Sequence, residues 1–192
     1  MTKIRSRDSR MIQDRRGQSG GSSSSEAEQI LCGATIDAQE YWLEQFPQSF
    51  NGLEYPITQT VFFSGFTNTG CGQASSAAGP FSCPADRLVD FDLDFLAQLQ
   101  SRFDAEGDLA AQYIVAHEYG HHVQNALGLN AEMHRLQQAT QGRMSPESRT
   151  HGSSDQRVRW FNVGSQTGDP NRCDTFGELE RAIAAGGGSQ DL

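Results

Sequence analysis

The stretch Tyr113-Ile-Val-Ala-His-Glu-Tyr-Gly-His-His-Val123 constrains this chain more than any other. It sets His117 and His121 four residues apart, with Glu118 beside the first, in a run made apolar by Ile114, Val115, Ala116 and Val123. On a helix, positions i and i+4 share a face. The two imidazoles then project together, as two ligands of one Zn²⁺ must. Glu118 lies one step round and reaches a water at such an ion, where it can act as general base. Zinc brings the pKa of its water to about 7 and polarises a carbonyl, so the expected chemistry is hydrolysis of a peptide bond. Imidazoles and a carboxyl buried side by side are costly unless something binds them. The competing reading is a pair of histidines on a solvated helix face. His122 points about 100° away from His121 and is expected to be structural. Gly120 costs about 1 kcal/mol relative to Ala within a helix, which predicts close approach of another element there.

Two protein ligands are too few, because catalytic zinc sites use three and a water. A metzincin would continue with Gly at 124 and His at 127, but the chain has Gln124 and Leu127. The third ligand is therefore expected on a later element, with Glu132, His134, His151 and Asp155 as candidates. Spacing selects none of them.

The rest of the chain sets the frame. At 192 residues with 36% hydrophobic content it is sized for one domain with unstructured ends. The net charge of -9 disfavours nucleic acid as a partner, and no stretch has the roughly 20 apolar residues of a membrane span, nor the apolar core of a signal peptide. Residues 1–16 carry six basic and two acidic side chains, and a Gly/Ser run follows, so 1–28 reads as a disordered basic tail and linker. Residues 29–185 read as the domain and 186–192 as a flexible end. Four cysteines form no Cys-x-x-Cys pair. A Cys71–Cys83 bridge would close a floppy Gly/Ser/Ala loop, leaving Cys32 to pair with Cys173; both imply an oxidising compartment. Asp37 looks like the N-cap of a short helix ended by Pro47. Strands are expected at 57–64 and 87–93, and helices at 94–103, 108–127, 131–140, from Ser153 or Ser154 to 161, and at 175–185. The fold class is α+β.

Beyond the zinc motif, Tyr55 to Gly65, Thr69-Gly-Cys-Gly72, Gly79 to Asp86, Tyr113 to Gly128, Thr150 to Phe161, Gly168-Asp-Pro170 and Cys173 to Phe176 resemble, in order and spacing, a family of neutral zinc metallopeptidases, the bacterial YpfJ-like proteins, and most closely their actinobacterial branch. Asp14-Arg-Arg-Gly17 resembles that family's N-terminal arm. The resemblance implies a zincin-like fold, zinc on His117 and His121, catalysis by Glu118, and an extracytoplasmic domain acting on a peptide or protein substrate. Family members carry a membrane-spanning helix after the arm; here the Gly/Ser linker runs straight on. They also carry an ELQADC-like helix whose Glu is the expected third ligand; here Met133 to Gln138 leads almost directly to Gln141 to Pro146, as if shortened near 136–142. The substrate is expected to add as a strand beside 57–64, with His151 bonding the oxyanion. The alternative is a catalytically impaired zincin remnant that binds a partner or an envelope component.

Overall fold

The computed structural model describes residues 12–14, 26–103, 106–132, 135, 154–173, 177 and 181. The fold is mixed α+β. Six strands stand among the described residues, where the sequence suggested two: β1 (Ile12–Asp14), β2 (Gln59–Phe63), β3 (Phe66–Thr69), β4 (Gly72–Ser75), β5 (Phe81–Cys83) and β6 (Leu88–Asp92). Four α-helices accompany them: α1 (Glu26–Ser49), α2 (Leu93–Phe103), α3 (Glu106–Ala126) and α4 (Ser154–Thr167). The chain forms two compact units, one of residues 1–48 and 53–127, the other of 49–52 and 128–192.

The first unit holds a four-stranded sheet in the order β1-β2-β6-β5. β1, β2 and β6 run parallel, and β5 is antiparallel to β6. β2 and β6 are buried on both faces, as parallel strands under helices usually are. That is why 87–93 alternates so poorly in the sequence. One face carries Thr60 and Phe62 beside Val89 and Phe91. Phe62, Val89 and Phe91 join Leu31 of α1, Leu96 of α2 and Ala111, Val115 and Tyr119 of α3 in the core. Phe62 and Phe91 meet edge to face at 6.3 Å. The other face carries Val61 and Phe63 beside Asp90 and Asp92, all buried. There Thr67, from the β3–β4 hairpin, donates to Asp90. Asp92 also accepts the Asp94 N–H at 3.0 Å and so caps α2.

Several expectations need correction. The helix expected from Asp37 begins at Glu26, and Asp37 lies in its interior. Its inward ridge is Glu28, Leu31, Thr35, Gln39, Trp42 and Phe46. Three of these six are polar, so the helical period of apolar residues was hidden. Pro47 sits inside the last turn, and the helix ends two residues later. A proline there removes one hydrogen bond at a terminus that is about to lose its partners anyway. β1 and the start of α1 fall inside the stretch read as tail and linker. The strand at 57–64 is not a border available for addition: β2 pairs with β1 on one side and β6 on the other.

Cys71 and Cys83 are bridged as expected. The bridge ties the hairpin tip to β5. Asp86 reinforces it by accepting the Gly70 N–H at 2.6 Å and the Leu88 N–H at 3.2 Å. A Cβ on Gly70 would stand 3.0 Å from the Asp86 nitrogen, so the close approach requires glycine. Cys32 and Cys173 carry thiols rather than the expected bridge. Cys32 is packed against the helix–sheet core of the first unit, and Cys173 belongs to the second.

In the second unit, α4 extends to Thr167, six residues past the expected end at 161, and buries none of its side chains. The helices expected at 131–140 and 175–185 lie largely outside the described residues, as do the ends 1–11 and 186–192. No helix among the described residues is long and apolar enough to cross a membrane.

The bridge closes a loop of sequence separation 12. Replacing both cysteines, Cys71→Ser with Cys83→Ser, should lower unfolding free energy by about 3 kcal/mol. Denaturant titration of the oxidised parent and the double variant checks this.

Candidate functional site

α3 packs its Ala111, Val115, Tyr119 and Val123 ridge inward. These residues follow the i, i+4 spacing, which leaves His117 and His121 on a different face, half-buried. Gly128 ends the segment with a φ of 74°, a conformation that favours glycine.

The two histidines converge. Their Nε2 atoms are 3.2 Å apart, with ring centroids at 4.6 Å and planes crossed at 84°. Zinc–imidazole bonds of 2.0–2.1 Å at a tetrahedral angle separate two ligand nitrogens by about 3.3 Å. The spacing therefore fits one ion shared by both rings. His121 Nδ1 lies 2.9 Å from Gln124 Oε1. With that nitrogen donating, Nε2 keeps its lone pair, the tautomer a metal ligand needs. Tyr113 stacks on His117 with ring centroids at 6.1 Å.

Glu118 is only 6% exposed. Burial pushes its carboxyl above the ordinary carboxylate value, opposed by the neighbouring His121 and by the backbone N–H of Ser82 on β5. Its proton affinity is therefore higher than that of a solvated glutamate.

Tyr119, between Glu118 and Gly120, is fully buried. Its hydroxyl is 2.8 Å from Thr60 Oγ1 on β2 and is also bonded by the Gln39 side chain of α1. Burial, partly offset by these bonds, pushes the phenol up to about 12. Gln39 Nε2 in turn donates to the Thr58 carbonyl at 2.5 Å. His122 takes no part in the pair. Its Nε2 donates to the Pro56 carbonyl at 2.7 Å, and Tyr55 packs against its ring edge to face. Burial holds its imidazole below the ordinary value, opposed by the Pro56 bond and aided by Arg87.

Gly120 departs from expectation. A Cβ built there meets nothing within 4 Å, so no other element among the described residues approaches it. Of the four candidate third ligands, the two that are described belong to the second unit. Glu132 belongs to the second unit, where Arg135 binds its carboxylate and holds it below the usual range. Asp155 is exposed in the first turn of α4. His134 and His151 lie outside the described residues. Among the described residues, no group of three or more His, Cys, Asp or Glu side chains is placed to hold a metal.

Sequence reasoning missed Gln39, Thr60, Ser82 and Gln124. Gln124 was within reach, because its i+3 spacing from His121 puts both on one face. The others come from distant segments and carry no local signal.

Tyr119→Phe keeps the ring and removes the hydroxyl, leaving polar groups of Thr60 and Gln39 without that partner in a buried site. We expect a loss of about 1–2 kcal/mol, read from the denaturation midpoint at unchanged slope.

A family described as "Putative neutral zinc metallopeptidase" matches residues 1–141 and 133–176. Rv2575 of Mycobacterium tuberculosis is 38% identical over 210 aligned residues, covering 77% of this chain and 69% of that protein. YpfJ of Escherichia coli K12 is 32% identical over 197, covering 73% and 68%. Both relatives are named only as uncharacterized proteins. The aligned length of 210 exceeds 77% of 192 residues by several tens of positions, where the relative has residues and this chain has none. No solved structure matches. Matched over most of its length, the chain belongs to the family of neutral zinc metallopeptidases.

Proposed function

We propose that this chain is a zincin-like peptidase that cleaves peptide bonds with water, using His117 and His121 to hold zinc and Glu118 as general base. The observation that carries this reading is the convergence of the two Nε2 atoms at 3.2 Å beside a buried carboxyl. When bound, zinc supplies Lewis acidity, which acidifies water and polarises the substrate carbonyl. The rest is done by the chain. Gln124 keeps His121 in the tautomer with a bare Nε2. Glu118 Oε takes a proton from the attacking water and returns it to the leaving amine. The Ser82 N–H steadies that carboxylate while it is charged, and burial favours it once protonated. Tyr119, anchored on β2, keeps the ligand face of α3 turned away from the sheet.

A catalytic site needs a third protein ligand, and Glu132, His134, His151 and Asp155 are the candidates this reading keeps. His151 is the alternative donor to the oxyanion. The Cys71–Cys83 bridge supports an extracytoplasmic, envelope-associated setting.

A second reading is a remnant of the fold that binds a partner without catalysis. It is favoured by the absence of a three-ligand cluster among the described residues.

Metal analysis and a peptide-cleavage assay separate the two. The first reading expects about one zinc per chain, removed by chelation together with activity. Glu118→Gln should retain the zinc and cut kcat by roughly 10²–10⁴. His117→Ala and His121→Ala should each lose the metal. Cleavage that survives Glu118→Gln refutes the mechanism, and a folded protein lacking zinc and activity establishes the second reading.

A further inference from the structure

Outside its two histidines, the exposed side of α3 has an unusual composition. Leu109 is 71% exposed and Tyr113 50% exposed. Gln112, Ala116 and Gln124 are exposed as well. From Leu109 to Ala126 the only Asp, Glu, Lys or Arg is Glu118, and that side chain is buried. A helix that packs one face on a sheet normally presents charged residues on the other. This one presents an uncharged strip in a chain of net charge -9.

The strip is continuous with the histidine pair. Leu109, Tyr113, His117 and His121 follow at i+4 steps along one ridge, and Tyr113 stacks directly on His117. Gly120 adjoins both histidines in helical order. It weakens the helix by about 1 kcal/mol relative to Ala, yet no atom of the described residues lies near where its Cβ would stand. Packing among the described residues therefore does not account for the glycine, whereas close passage of a further backbone would.

We propose that this strip is the specificity-determining surface of the site. An extended peptide passes over Gly120, and a large uncharged apolar side chain, aromatic or aliphatic, seats on Tyr113 and Leu109. This rests on the peptidase reading and adds a substrate class to it. An exposed apolar platform gains by being covered. Without fixed charge it offers nothing to an acidic or basic residue that must be desolvated there.

The test uses the full chain and two labelled peptides that differ at one position, Phe against Ser. Binding is measured by fluorescence anisotropy on the zinc-loaded Glu118→Gln protein, and kcat/KM on the active one. The parent should favour the Phe peptide about tenfold or more. Tyr113→Ala and Leu109→Ser should each remove most of that preference. Gly120→Ala should raise the melting temperature and yet weaken binding and cleavage of both peptides at least tenfold. Cleavage that is abolished by Glu118→Gln but shows no Phe preference, or is indifferent to these substitutions, overturns this inference and leaves the peptidase reading standing. Selective binding of the Phe peptide that the substitutions abolish, with no cleavage of either peptide, supports the surface and sinks the peptidase reading. A Gly120→Ala protein that is more stable and fully active also overturns the inference.

Discussion

The rotation of α3 about its own axis decides everything else at the site. A helix carrying His117, Glu118, Tyr119, Gly120, His121 and His122 in succession has a candidate ligand or anchor on every side. Which of them meets the sheet determines which are left for chemistry. Burial of Tyr119 and its bond to Thr60 on β2 settle the matter, with Val115 and Val123 one turn either side. Once that side is inward, His117 and His121 share another side, Glu118 turns towards β5, and His122 is committed to the Pro56 carbonyl.

The anchor belongs to a polar layer inside an otherwise apolar interface. Gln39 reaches from α1 to the Thr58 carbonyl and to the Tyr119 hydroxyl. Thr58 also donates to the Arg87 carbonyl at 2.5 Å. The Gln39 amide nitrogen and the Thr58, Thr60 and Tyr119 hydroxyls find partners in this layer, and each would be costly to bury alone. They tie α1, β2, the turn before β6 and α3 together with directional bonds. Apolar contacts alone would specify those relative positions less narrowly.

The same layer explains why local pattern recognition worked for some elements and failed for others. β2, β6, α2 and α3 were legible because their residues are β-branched, aromatic or helically periodic over the buried stretch. α1 was read as half its length, since Glu28, Thr35 and Gln39 occupy ridge positions where apolar residues would announce a helix. The strand β1, three residues long beside basic side chains, has no signature apart from its partner. Cys71–Cys83 was foreseeable from a floppy loop with a cysteine at each end. The fate of Cys32 and Cys173 was not, because the leftover pair was assigned by elimination and both remain thiols.

By itself the sequence determined the chemistry on offer: two imidazoles and a carboxylate at helical spacing, in a run apolar enough to be drawn into a core. Periodicity is a local property, and one turn of helix suffices to bring i and i+4 together. Only the tertiary structure decided how those groups are held. The Ser82 N–H on Glu118 and the Thr60 and Gln39 bonds on Tyr119 depend on segments tens of residues away. Their positions follow from packing a sheet against three helices, and that packing is written in no single stretch of the chain.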